Sequence, residues 1–533
     1  MSRATLAPAG LLLALVMLSA SCRAAVLTGA APGGTFRVGT SEPASLDPAL
    51  ASRPEERLVV KQLFEGLVRY DDTTAAVVPG IAMSWDTSPD NTRFTFHLRP
   101  RARFSNGEPL TAESFVRGMT RALTPAQYRD PQGLGYELDG ITGAAAVVSG
   151  AAATLSGAKA LDSHTLELRL SAPDAEFLVR CGDSPFFPVP SAATMAAQRP
   201  SWGESPVGNG AFKLGEPWAH NESISLVPNK LHLGGRPRVG RVELRMFTDL
   251  DAAYRAWRAG ELDWTAFPPV KTSEVKRLDA SSYINRPSAG LDYLVVRAPP
   301  APADGALFRR ALSLAIDRRR ITSTLFAGAT VPAAGIVPPR VPGSASSGGV
   351  SPCRSCGFDP AQARELLAAS GVKLAGTFPL YFSPGVGEDA WMVAVAQDLK
   401  ANLGIDARAV PGAAAVVPTE PAMGAAGGVR VMRYPTPDDF LQKVLGTGGR
   451  ENVSGYTNPR VDGLVASALR AADPAVRAKE FQQAERVALD DMPIVPLWWQ
   501  RGVGLARLRR WRGLGMNAFG DPTLPSVVAR PGG

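Results

Sequence analysis

An α/β fold is predicted for this 533-residue chain by three observations. Short runs of alternating hydrophobicity recur along it, between helices opened by capping residues. The two element types interleave rather than segregate, which favours layered strands and helices over a bundle or a sandwich. No segment repeats, and Gly 53 and Pro 46 occur without a period, so they mark many turns.

The elements follow in order. Residues 36–40 read as a strand, and 93–98 place Phe94, Phe96 and Leu98 on one face of another. Thr111 opens a helix to Leu123 with Phe115, Met119 and Ala122 on one side. Leu166, Leu168 and Leu170 alternate as a strand, and strands are expected at 224–227 and 242–247. Residues 252–259 form a helix that Gly260 stops, and 308–316 form another. Asp359-Pro360 and Asp473-Pro474 each supply an N-cap and a first-turn proline, for helices ending at Gly371 and near Asp490. Two stretches, 341–356 and 411–428, show no pattern and read as long loops.

Composition narrows the function. The chain is 45% hydrophobic and 20% charged, which is globular. Its formal charge is +8, and only ten of 57 basic residues are Lys. Nucleic-acid proteins gather such residues in dense runs with aromatics between them. Here they are scattered, so no nucleic-acid partner is expected. Residues 1–22 carry Arg3, an apolar stretch over 6–18 and the small residues Ser19, Ala20 and Ser21 before Cys22. That is the pattern of a secretory leader. Small residues ending at a Cys resemble a bacterial lipobox, which implies a lipidated Cys22 and attachment to the outer face of the membrane. Ala/Gly-rich residues 23–33 read as a tether. Cys353 and Cys356 form a CxxC within a Gly/Ser/Pro-rich loop, expected to close a small disulfide outside the cell. Cys181 is expected to be a buried free thiol.

Catalytic patterns are sparse. No phosphate-cradling GxxxxGK, nucleophile elbow or HExxH occurs. Ser273 and Lys276 fit SxxK, without the SDN and KTG elements that penicillin-binding enzymes also need. Four dispersed His give no metal cage, so neither metal nor cofactor is expected. A large exported chain of this kind reads as a binder rather than an enzyme.

Ten motifs in order resemble the family 5 extracellular solute-binding proteins, the peptide- and nickel-type receptors of ABC importers. They include SEPASLDP at 41–48, QLFEGLV at 62–68, FSNGEPLTAE at 104–113, RALSLAID at 310–317 and DMPIVP at 491–496. The resemblance implies two hinged lobes with a small domain inserted in the first. Lobe I is expected over 34–74, 204–290 and 495–533, the inserted domain over 75–203, and lobe II over 291–494. It further implies a monomer that captures a peptide-like or acidic small solute and delivers it to ABC permease subunits with separate ATPases. A ligand sensor without transport and an exported penicillin-binding-type hydrolase are the alternatives.

The same resemblance suggests the binding residues. Glu42, Pro43 and Ala44 match one pocket-lining segment. Arg430, Val431, Met432, Arg433 and Tyr434 match the other, ahead of a DYPDP-like RYPTPDDF at 433–440. Trp391, Trp498 and Trp499 are candidate pocket aromatics. Arg433 stands where peptide receptors carry the Asp that pairs with the ligand's ammonium, and Arg430 replaces a pocket aromatic. A free amino terminus is therefore not expected at this point. Arg433 either offers its guanidinium fork to an anion or pairs internally, for example with Glu42 or Asp438.

Overall fold

The computed structural model describes residues 33–297, 303–374, 376–412 and 423–531. Cys22, the leader and nearly all of the tether lie outside the described residues. No helix among the described residues is long and apolar enough to cross a membrane.

Local chemistry sets the element boundaries. Thr111 and Ser114 form a capping box at the start of the helix Ala112–Ala122. The helix Leu250–Arg258 begins earlier than hydrophobic spacing suggests, because the Asp249 carboxylate accepts the Ala252 N–H at 2.6 Å. Asp304 does the same for Gly305–Ala315, accepting from Ala306 and Leu307. Asp359 and Asp473 cap Pro360–Ala369 and Pro474–Asp491. The expected loop over 411–428 is corrected at its end, where Gly424–Val431 is a strand. Its Gly and Ala residues lack a hydrophobic alternation because the strand is sandwiched too tightly for large side chains. A Cβ on Gly427 would sit 2.8 Å from Met392 Cε and 3.2 Å from Trp391 Cη2.

Three large cores and a smaller one around Tyr254, Trp257 and Phe267 organise the described residues. Phe36, Phe64, Ile224, Val242 and Trp511 centre the first lobe. Phe94, Phe96, Phe115, Leu166 and Phe177 centre a small domain, built on a four-stranded antiparallel sheet that includes Arg93–Leu98 and Thr165–Arg169. Phe308, Leu312, Met392, Phe440, Phe481 and Trp498 centre the second lobe. An eleven-stranded sheet runs through both lobes. Its middle is the antiparallel pair Tyr283–Arg297 and Ile494–Ala506, and these two strands carry the chain from one lobe to the other. The pairing slips between Pro287 and Gly290 and again between Asp292 and Tyr293. Such irregularities re-aim side chains. The second one sets Asp292 opposite Trp498 and Tyr293 opposite Pro496.

Candidate functional site

A cavity of about 950 Å³ lies where the first lobe, small domain and second lobe meet. Gly39, Thr40 and Ser41 reach it from the end of the first strand, and Arg57 from the helix Pro54–Leu63. Tyr136 enters from the small domain, Asp292, Trp498 and Gln500 from the crossing strands, and Glu388, Trp391 and Arg430 from the second lobe.

Of the residues singled out from sequence, Trp391, Arg430, Val431, Arg433 and Trp498 line this cavity. The other six do not, and each has a physical reason. The first strand ends at Thr40, so the chain has turned away before residue 42. Glu42 instead meets His220 Nδ1 at 3.0 Å, Pro43 is buried, and Ala44 donates its N–H to Glu56 at 3.3 Å. Met432 alternates into the second-lobe core between Val431 and Arg433. Tyr434 is fully buried and donates its hydroxyl to Glu137 at 3.2 Å. Trp499 pairs with Leu291 and points to the side of the strand opposite Trp498. Cys353 and Cys356 are disulfide-bonded, and Cys181 is a buried thiol.

Arg433 is an internal ion pair. Its Nη2 and Nε meet Asp183 Oδ2 at 2.7 and 3.0 Å, and the side chain is 3% exposed. The partner is thus Asp183 of the small domain, neither Glu42 nor Asp438. Burial alone would make the guanidinium easier to deprotonate; Asp183 reverses this and holds it above its usual range. Arg430 is clasped by Asp439 and Glu451. Further pairs cross between the small domain and the second lobe: Arg180 to Asp438 at 3.0 Å, Lys443 to Glu137 at 2.9 Å, and Tyr136 to Glu451 at 2.7 Å. Together they form a seam of matched charge between the small domain and the second lobe, which reaches the cavity at Tyr136, Arg430, Arg433 and Glu451.

The remaining charged groups are less well matched. Arg57 is 5% exposed and makes no side-chain hydrogen bond or ion pair among the described residues. Burial and the nearby Arg433 both lower its pKa, and Asp521 and Asp183 oppose this. Asp292 is 6% exposed, and burial raises its carboxyl to about 7. Gln500 hydrogen-bonds to it and favours ionisation, while the neighbouring Glu388 disfavours it. Motif comparison passes over these residues. Asp292 was nevertheless visible as an acid inside the apolar run Leu291 to Val296, where a buried carboxylate needs an explanation.

The SxxK pair lies elsewhere. Ser273 and Lys276 share the helix Thr272–Asp279, outside the cavity, and Lys276 Nζ donates to the Ala327 carbonyl at 2.7 Å.

Comparisons with known proteins agree with this architecture. Residues 76–452 match the model for bacterial extracellular solute-binding proteins, family 5. The periplasmic murein peptide-binding protein MppA of Escherichia coli is 29% identical over 471 residues, covering 86% of each chain. The oligopeptide-binding protein OppA of Bacillus subtilis is 26% identical over 485 residues, again 86% of each. The solved structure of the Escherichia coli murein tripeptide binding protein MppA superposes with a TM-score of 0.80 at 26% identity, over 93% of this chain and 98% of that one. The chain belongs to the family 5 bacterial extracellular solute-binding proteins.

Proposed function

We propose that the protein is the substrate-binding subunit of an ABC importer, taking a peptide-like solute between its lobes and presenting it to membrane permease subunits driven by separate ATPases. The observation that carries this reading is the cavity of about 950 Å³ at the junction of lobes joined by two crossing strands. Cavities of this size at domain junctions suit small ligands, and two-strand crossings suit hinge closure. The relatives are named for murein peptides and oligopeptides. The lobe limits given from sequence, a lipidated Cys22 on the outer face of the membrane, a monomeric state and the absence of enzymatic turnover all belong to this reading.

The acidic character suggested from Arg433 moves to a different residue. Arg433 is already neutralised by Asp183, whereas Arg57 faces the cavity without a carboxylate partner among the described residues. A carboxylate of the solute would offset the cost of burying that guanidinium. Isothermal titration of the purified protein with free peptides of two to five residues tests the reading. Saturable binding supports it; no heat with any of them, by a folded sample, defeats it.

A further inference from the structure

Several of the charged side chains facing the cavity are matched and two buried carboxylates are not. Arg53, Arg430, Arg433, Glu55 and Glu451 each have an opposite charge in contact. Asp292 and Glu388 have none: neither forms an ion pair among the described residues, although both are more than nine-tenths buried. Glu388 accepts the Ser383 N–H at 2.8 Å through Oε2. Asp292 has the amide of Gln500 and, as its charged neighbour, Glu388 of the same sign. Their surroundings are aromatic. Trp391 and Trp498 meet edge to face with centroids 5.0 Å apart, and Phe326 meets Trp498 at 5.2 Å. All of these residues line the cavity. The buried Thr330 hydroxyl beside them has no hydrogen-bond partner among the described residues. Gly427 makes the arrangement possible, since a Cβ there would press on Trp391 and lie 3.4 Å from Glu388 Oε2.

We propose that Asp292 and Glu388, with the rings of Trp391 and Trp498, form a subsite for an ammonium or guanidinium group of the solute. Two carboxylates buried near one another without a cation disfavour each other's ionisation. An arriving cation removes that cost, and indole faces add a cation–π attraction. The subsite lies apart from the seam: Arg57 feels Arg433, Arg430, Asp183 and Asp521, whereas Asp292 feels Glu388. The groups that act on Asp292 are Gln500 on the second crossing strand and Glu388 at the start of the helix Asp389–Leu403, and the cation on the neighbouring strand Gly424–Val431 is Arg430, which pairs in register with Leu291. Arg430 is already held by Asp439 and Glu451, which leaves no cation committed to Asp292. The assignment rests on the importer reading above, because it names what that cavity recognises.

The test is isothermal titration of wild type, Asp292→Asn and Glu388→Gln with three peptide sets of two to five residues. One set is free at the amino terminus. One is N-acetylated and contains no Lys or Arg. One is N-acetylated and contains a single Lys. The expected result is that wild type prefers a cation-bearing set to the cation-free set by at least tenfold, and increasingly so from pH 5.5 to pH 8. Asp292→Asn should reduce the preference to within about twofold and flatten its pH dependence, with its circular dichroism unchanged. Equal binding of all three sets by wild type would overturn the subsite while leaving the importer reading intact. So would an undiminished preference in both variants. If no set binds folded wild type, the peptide reading itself falls, and the subsite with it.

Discussion

Two walls of one cavity bury charge in opposite ways. Where the small domain meets the second lobe, Arg433 and Arg430 on the cavity wall, and Arg180 and Lys443 outside its lining, each touch a carboxylate. On the other wall, Asp292 of the first crossing strand and Glu388, just ahead of the helix Asp389–Leu403, lie among aromatic rings with no cation paired to them among the described residues. Matched pairs use up their own electrostatics, so the first wall holds the fold together and has little charge left for a ligand. Unmatched groups weaken the empty protein and favour whatever neutralises them. Arg433, which the sequence left open between an anion site and an internal pair, is on the matched wall.

The largest expected effect comes from breaking the matched wall. Arg433→Met leaves Asp183 buried without its partner, which should destabilise the protein by about 3–5 kcal/mol in urea unfolding. Adding Asp183→Leu should recover most of that loss, because two apolar side chains replace two charges. Failure of the second substitution to restore stability would mean that the seam has other indispensable members.

Asp292→Asn should have the opposite sign. The folded state raises this carboxyl from 3.8 to about 7, so it binds the proton more tightly than the unfolded chain does. Stability from this group is therefore complete below pH 4, falls as pH rises towards 7, and is level above. Removing the titration should stabilise the empty protein by roughly 2–4 kcal/mol at pH 8 and by nothing measurable at pH 4. Part of the wild-type slope will survive, since burial also raises Glu485 to about 7. Melting scans of both proteins across pH measure this directly. A stabilising substitution that weakens cation binding would identify a site kept at the expense of stability.

Smaller changes sharpen the comparison. Arg57→Gln should weaken acid-bearing peptides by about tenfold, near 1.4 kcal/mol, and leave C-terminally amidated, acid-free peptides unaffected. Glu42→Gln should alter no peptide affinity by more than about twofold, because Glu42 meets His220 outside the cavity. A large loss in Glu42→Gln would show that the closed cavity reaches further along the chain than described.

What was legible in the sequence is what short-range physics determines. Thr111, Asp359 and Asp473 cap their own helices, and Phe94, Phe96 and Leu98 sort by alternation alone. The order of motifs gave the family and its lobes. The site was only partly legible, because its logic is long-range. Asp183 lies 250 positions from Arg433, and no local pattern announces their pairing. Trp498 and Trp499 are adjacent, and only the register against Asp292 and Leu291 decides which one faces the cavity. Glu42 to Ala44 missed by the few residues between the strand's end at Thr40 and the turn away from the cavity. Gly427 and Gly428 read as loop, when their smallness is what lets Trp391, Glu388 and Tyr293 close on a strand.

Native mass spectrometry of the protein purified under mild conditions tests the central claim most directly, that unmatched buried charge marks where the solute is held. The expected result is a bound peptide-like species carrying a basic group, retained by wild type and by Glu42→Gln and lost from Asp292→Asn. A bound species with no basic group, held equally by wild type and Asp292→Asn, would contradict it.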